Sequence, residues 1–152
     1  MKEIELTQGK VAIVDDDDFE YLSQWKWYVN YNQRGLPYAM RGAKPKVRMH
    51  RIVSKTPSGL FTDHINGDTL DNRKSNLRIV TSAENSMNRK PYKSNKFGLK
   101  GISISEGKYI HARIKLDGKN IHLGTFDTIE EAAAAYNKAA LELFGEFARI
   151  NL

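Results

Sequence analysis

Hydrophobic and polar positions change rhythm twice along this chain of 152 residues. Up to about residue 50 the apolar positions come in short bursts. Ile4 and Leu6 alternate as in a strand, Gln8-Gly9 marks a turn, and Val11, Ile13 and Val14 predict the next strand. The acidic run Asp15 to Asp18 reads as the start of a short helix over Phe19 to Gln24, since carboxylates are favoured at a helix N-terminus. Trp25 and Trp27 alternate on one strand face and read as core. Tyr38 to Arg41 and Val47 to Arg51 predict a hairpin around Gly42-Ala43-Lys44-Pro45. Arg48 and His50 then share one strand face and Arg51 falls on the other.

A second rhythm runs from Leu60 to Lys90. Leu60, Phe61 and Thr62 predict a short strand, Asn66-Gly67 a turn, and Leu77, Ile79 and Val80 a second strand. Thr81 with Glu84 fits a capping box that opens a helix, with Asn85 and Asn88 on one face of it. From Leu99 the pattern changes again. Gly101 to Ser105, Tyr109 to Leu116 and Asn120 to Thr125 predict three strands, joined at Glu106-Gly107 and Asp117-Gly118. Ile102, Ile104, Ile110, Ala112, Ile114, Leu116, Ile121 and Leu123 are expected on the inner face. Tyr109, His111, Arg113, Lys115, Asn120 and His122 are expected on the outer one. A helix capped by Thr128 and Glu131 carries an apolar stripe through Ala132, Ala135, Tyr136, Ala139, Leu143 and Phe144. The fold class expected is α+β: a β-rich lead-in, a strand-strand-helix finger, then a three-stranded antiparallel sheet packed on one helix. The expected boundaries are 1–90 for the first domain (finger 60–90), 91–98 for a basic linker, and 99–152 for the second domain.

Composition narrows the function classes. A net charge of +6 favours a polyanionic partner. The chain has no cysteine, so no disulfide partner and no thiolate zinc site is expected, in keeping with a reducing compartment. Neither a signal-like apolar segment nor a long apolar run occurs, so no membrane partner is expected and the protein reads as soluble and intracellular. Charge is unevenly placed. Residues 91 to 126 hold seven basic against two acidic side chains, and residues 127 to 152 hold two basic against five acidic. The open sheet face is therefore expected to be positive and the helix negative.

The stretch TDHINGDTLDNRKSNLRIVTSAENSMNRK, Thr62 to Lys90, concentrates the candidate chemistry. It surrounds one imidazole, His64, with carboxylate and amide oxygens and with Arg73, Arg78 and Arg89. Oxygen ligands suit Mg²⁺ or Mn²⁺ rather than zinc. A histidine is the side chain best placed to take a proton near neutral pH, and arginines imply an anionic substrate such as a phosphate. A polar loop is the plainest alternative for such a cluster. A calcium loop of the EF-hand type does not fit, because Ile65 and Lys74 occupy positions where that loop needs oxygen ligands.

With the Asp63-His64 pair, Asn76, Asn85 and the capped helix in this order, the stretch resembles the HNH endonucleases, in particular the phage-type homing enzymes. That resemblance implies a ββα-metal finger. It makes His64 the general base that activates water and Asp63 a metal ligand. It makes Asn76 the residue that ties the loop together and holds the imidazole, and Asn85 the second metal ligand where many relatives have histidine. It further implies a single divalent ion, products with 5′-phosphate and 3′-hydroxyl ends, nicking by one finger per chain, and a place in a bacterial or phage-infected cytoplasm. For His50 two readings stay open: a supporting group near the scissile phosphate, or a hydrogen-bonded structural histidine.

In the last third, KGISIS, IHLGTFDTIEEAAAAYNKAA and FGEFARIN resemble the plant ethylene-response-factor (Apetala-type) DNA-binding domain, with a departure around Lys108 to Arg113. The resemblance implies that the sheet reads double-stranded DNA in the major groove. Arg113 is the first choice for a base contact. Lys100, Lys108, Lys115, His111 and His122 are expected at phosphates or the edge of the contact, with Arg51 and Arg73 nearer the finger and Lys93 and Lys96 tracking the backbone from the linker. Two rivals are a non-catalytic DNA-binding regulator, which would have no need of Asp63 and His64, and an RNA-binding module. Stacking aromatics expected of the latter are scarce on the outer face, where Tyr109 stands alone.

Overall fold

Antiparallel pairing of β1 (Lys2–Glu5) with β2 (Val11–Val14) opens the chain in the computed structural model, which describes residues 1–91, 95–105 and 107–151. Ile4 and Ala12 face each other in register and both are buried, so the alternation in sequence becomes one covered face. Helix α1 (Asp16–Ser23) begins at Asp16, ahead of the expected Phe19, and takes the acidic residues into its first turn. Asp15 stands at the N-cap position without a side-chain cap bond. Its Oδ2 accepts instead from the backbone N–H of Lys74 at 2.8 Å. Asp16 pairs with the N-terminal amine and Asp18 with Lys74, each at 2.9 Å. The acidic run therefore favours the helix start and also ties it to two distant segments.

Three strands follow, β3 (Tyr28–Tyr31), β4 (Pro37–Arg41) and β5 (Val47–Arg48), in an antiparallel sheet of that order. The tryptophans differ from expectation, since both precede β3. Trp27 is buried and its Nε1 donates to the Leu22 carbonyl at 2.8 Å, whereas Trp25 is half-buried under the Arg41 guanidinium, 3.9 Å from the ring centroid. A second correction concerns His50 and Arg51. They belong to a short helix, α2 (Met49–Val53), because β5 pairs with β4 only through Val47 and Arg48. Met49 and Val53 then lie one helical turn apart and both enter the core with Leu22, Trp27 and Val29.

β6 (Phe61–His64) pairs antiparallel with β7 (Leu77–Val80), and α3 (Ser82–Met87) comes next, so the order strand, strand, helix is present along the chain. The chain divides into two compact units, Met1–Ser82 and Ala83–Leu152. The division falls within α3, upstream of the basic stretch 91–98 where the sequence placed a linker.

The second unit is a single antiparallel sheet of β8 (Ile102–Ser105), β9 (Tyr109–Leu116) and β10 (Lys119–Phe126), with β9 in the centre, backed by α4 (Ile129–Phe144). Thr128 and Glu131 form the expected capping box. Ile110, Ala112 and Ile114 pack against Ala132, Tyr136, Ala140 and Phe144, the alanines allowing the helix to lie close. Gly101 is required here: its φ is +72°, and a Cβ would stand 2.2 Å from the Arg113 carbonyl oxygen and 2.4 Å from the Tyr136 ring. Ile104 and Ile121, expected inside, are 37% and 39% exposed. They lie on the two outer strands, and the buried positions concentrate on central β9. A register shift between His122 and Gly124 also breaks the simple alternation of β10. The expected turn at Glu106-Gly107 and the linker residue Lys93 involve positions outside the described residues. Among the described residues no helix is long and apolar enough to cross a membrane.

Candidate active site

The loop between β6 and β7 is built from its own amides and carboxylates. Gly67, at φ +74°, donates to the His64 carbonyl and turns the chain. Asn66 Oδ1 accepts from Asp68 N–H at 2.8 Å, and Asp68 Oδ1 from Leu70 N–H at 3.0 Å, which are Asx turns. Asn76 closes the loop: its Oδ1 accepts from Asn66 N–H at 3.0 Å and its Nδ2 donates to the Asp71 carbonyl at 2.8 Å. The loop is then docked on the core by Ile13 N–H to Leu70 O at 2.9 Å and Asn72 N–H to Ile13 O at 2.7 Å. These bonds fix the end of β6 and with it the side chain of His64.

His64 is 4% exposed. Its ring meets His50 edge-on, with centroids 5.1 Å apart, and Tyr38 at 6.1 Å. Nε2 faces Asn72 Oδ1 at 3.4 Å, a long hydrogen bond. The Asn72 amide is oriented by its Nδ2, which donates to the Leu70 carbonyl at 3.0 Å, so the oxygen is the atom turned toward the ring. An amide oxygen only accepts, so in this bond Nε2 is the donor. Burial pushes the His64 pKa below its ordinary 6.5, against the raising effects of Asn72 and of Asp63, Asp68 and Asp71. The imidazole is therefore neutral at physiological pH. Asn72, 1% exposed, is the residue that the sequence did not single out as touching the ring; Asn76 shapes the loop through other partners.

Asp63 is buried beside His64, but its carboxylate is shared across the ladder. It lies opposite Arg78 in register, and its Oδ2 accepts from Arg78 Nε at 3.0 Å and pairs with Nη2 at 2.9 Å. Asp71 is held by Arg73 through both its oxygens, Oδ1 at 2.8 Å from Nε and Oδ2 at 2.6 Å from Nη2, which keeps its pKa below the usual carboxylate value. Asn85 lies half-buried on α3, in the other compact unit. Among the described residues no group of three His, Cys, Asp or Glu side chains could hold a metal. A hard ion of the Mg²⁺ type takes oxygen donors and keeps several waters. The carboxylate of Asp63 and the amide oxygens in this stretch are the right donors for it.

The basic residues singled out in the sequence divide by partner. Arg51 is turned onto carbonyls, with Nη1 2.9 Å from Leu60 O and Nη2 3.0 Å from Pro57 O and 3.3 Å from Thr56 O, and Arg73 is turned onto Asp71. Lys100 donates from its backbone to Asn151 Oδ1 at 2.7 Å and from Nζ to the Met87 carbonyl. Arg113 and Lys115 are exposed on one face of β9, and Lys108 lies over the Tyr109 ring at 5.7 Å. His111 is bridged by two hydroxyls, Ser105 Oγ at 2.7 Å from Nε2 and Thr125 Oγ1 at 3.0 Å from Nδ1, with the exposed His122 ring 5.7 Å away. Lys96 stands 6.0 Å from the Phe97 ring.

A β-hairpin that ends in a buried Asp-His pair, followed by a helix, is the plan of an HNH nuclease, and comparison with known proteins supports that class. A family profile described as HNH endonuclease matches residues 50–87. The chain is 36% identical over 150 residues to a protein of Acanthamoeba polyphaga mimivirus named Uncharacterized HNH endonuclease L560, covering 95% of this chain and 76% of that one. It is 38% identical over 94 residues to Protein 3.8 of Escherichia phage T7, covering 61% of this chain and 77% of that one. The chain belongs to the HNH endonuclease family. Membership implies DNA as the substrate class.

Proposed function

We propose that this protein is a metal-dependent DNA endonuclease of the phage homing type that nicks double-stranded DNA with His64 as general base. One observation carries the reading: a buried imidazole is held against Asn72 Oδ1 at the end of β6, next to a carboxylate. In this mechanism Nδ1 of His64 takes a proton from water as the oxygen attacks phosphorus in line, and Nε2–H stays on Asn72 Oδ1. The 3′-oxygen leaves, giving 5′-phosphate and 3′-hydroxyl ends. Arg78 holds Asp63 in place, and Asn76 keeps the loop, and so the base, in one geometry. A divalent ion of the Mg²⁺ or Mn²⁺ kind, held by Asp63 and by Asn85 (the latter on family resemblance), would supply Lewis-acid stabilisation of the phosphate and the leaving oxygen.

The second unit is proposed as the DNA grip. Its support is the exposed pair Lys115 and Arg113 and the half-buried His111 on one face of central β9, with Asn120 and His122 opposite Lys115 and Arg113 in register on β10. Arg113 is the proposed base reader, and Lys108 and Lys115 are proposed to lie at phosphates. The testing experiment is relaxation of supercoiled plasmid in Mg²⁺ or Mn²⁺ by wild type and by His64→Ala. Conversion to open circles by wild type, lost on chelation and reduced roughly 10³-fold in the variant, is expected. Equal relaxation by the two proteins, or by neither on a range of DNAs, removes the nuclease assignment and leaves a DNA-binding protein.

A further inference from the structure

One buried titratable side chain in the first unit has no part in the mechanism above. His50, in the first turn of α2, is 4% exposed. Its ring stands at 86° to that of His64 and 5.5 Å from that of Tyr38. A histidine kept for structure typically hydrogen-bonds another group of the protein through at least one ring nitrogen. Among the described residues nothing hydrogen-bonds to either ring nitrogen of His50. Neither nitrogen is enclosed, so the polar edge of the ring remains reachable from solvent. The hydrogen-bonded structural histidine is thus the reading that the geometry disfavours.

Charge points the same way. Burial, and then the neighbouring His64, Arg48 and Arg51, hold the His50 pKa down to about 3, so the ring is neutral with one N–H to offer. A neutral ring beside the base does not repel a protonated His64, and it is a donor where an anion is to be bound. The obvious cationic donor nearby in sequence, Arg51, is committed to the carbonyls of Thr56, Pro57 and Leu60.

We propose that His50 is a second catalytic histidine, whose N–H donates to a non-bridging oxygen of the phosphodiester attacked at His64. This rests on the nuclease reading. A fixed donor aimed at an oxygen that gains charge in the transition state acts on the rate more than on affinity.

The test compares wild type with His50→Phe, His50→Asn and His50→Gln on supercoiled plasmid, measuring single-turnover rate, DNA affinity by gel shift, and thermal midpoint. His50→Phe keeps a ring in the packed position and removes the donor; the two amides place a donor near Nδ1 or Nε2. The expected result is a folded His50→Phe with unchanged affinity and a rate lowered roughly 10²-fold. At least one amide variant should recover tenfold or more of that loss. If His50→Phe does not fold, His50→Leu takes its place against the same amides. Wild-type rates in the folded apolar variant, or equal losses in apolar and amide variants, overturn the proposal and leave the nuclease intact. A wild type that nicks no DNA overturns both.

Discussion

The two units of this chain use polar residues in opposite ways. In the first, His50, Asp63, His64, Asp71, Asn72 and Asn76 are all buried, and a loop of amides and carboxylates replaces the apolar core that would otherwise fill the end of the β6–β7 hairpin. In the second, the core is Ile, Ala, Tyr and Phe, and Arg113, Lys115, Lys119 and His122 are exposed on the strands. Burying polar groups is costly unless each is matched, and the loop of the first unit matches its own by Asx turns and by arginine–carboxylate pairs. Buried, oriented groups are what bond-breaking needs; exposed, mobile charges are what holding a polyanion needs. On the proposed function, the comparison separates chemistry from grip.

Several substitutions can break that separation. The largest structural effect belongs to Gly101→Ala. The added carbon has no room between the Arg113 carbonyl and Tyr136, and the backbone is in the left-handed region, so a loss of about 3 kcal/mol is expected in the second unit. Thermal or chemical unfolding reads it, and an unchanged midpoint would contradict the packing described. Asn72→Ala should lower the nicking rate roughly 10²-fold by releasing the imidazole, with DNA affinity kept. Asn72→Asp sharpens this: a carboxylate at that position raises the pKa of His64 and should move the acid limb of the rate to higher pH.

On the gripping side, Arg113→Ala is expected to weaken DNA binding by about 1–3 kcal/mol while leaving the rate of bound substrate unchanged. Lys115→Ala should mainly reduce the salt dependence of binding. A gel-shift titration at two salt concentrations distinguishes them. The most gradual effect is one of pH on stability. His50 and His64 are both held below their ordinary value in the folded unit, so the unfolded chain takes up protons first as pH falls. Stability present above about pH 6.5 should be lost as pH falls toward about 3 for His50, at roughly 1 kcal/mol per pH unit for each proton. His50→Phe should flatten that slope, and an identical slope in the variant would show that His50 is not the group responsible.

Much of this was readable in the residues, and the rest was not for physical reasons. Alternation in Tyr109 to Leu116 and the Thr128–Glu131 capping box are local signals, and the sheet and helix of the second unit follow them. Asp63, His64 and Asn76 stood out because their types and order are unusual in a loop. Asn72 did not, since what sets its side chain against His64 is the docking of its backbone on Ile13, a contact far apart in sequence. Arg51 and Arg73 looked like free cations, but charge alone does not tell a phosphate contact from a bond to a carbonyl or a carboxylate within the same loop. The helix at His50 was hidden because a strand pattern of a few residues and a single helical turn place Met49 and Val53 in the core equally well. Ile104 and Ile121 show the same limit: alternation puts them on the inner face, yet on the outer strands they stay exposed.

The separation of chemistry from grip is tested most directly on one variant, by measuring the single-turnover nicking rate and the DNA affinity of His64→Ala beside wild type. The account predicts a rate at least about 10³-fold lower with an affinity within roughly twofold of wild type. A variant that loses affinity in step with rate, or that nicks as fast as wild type, would contradict it.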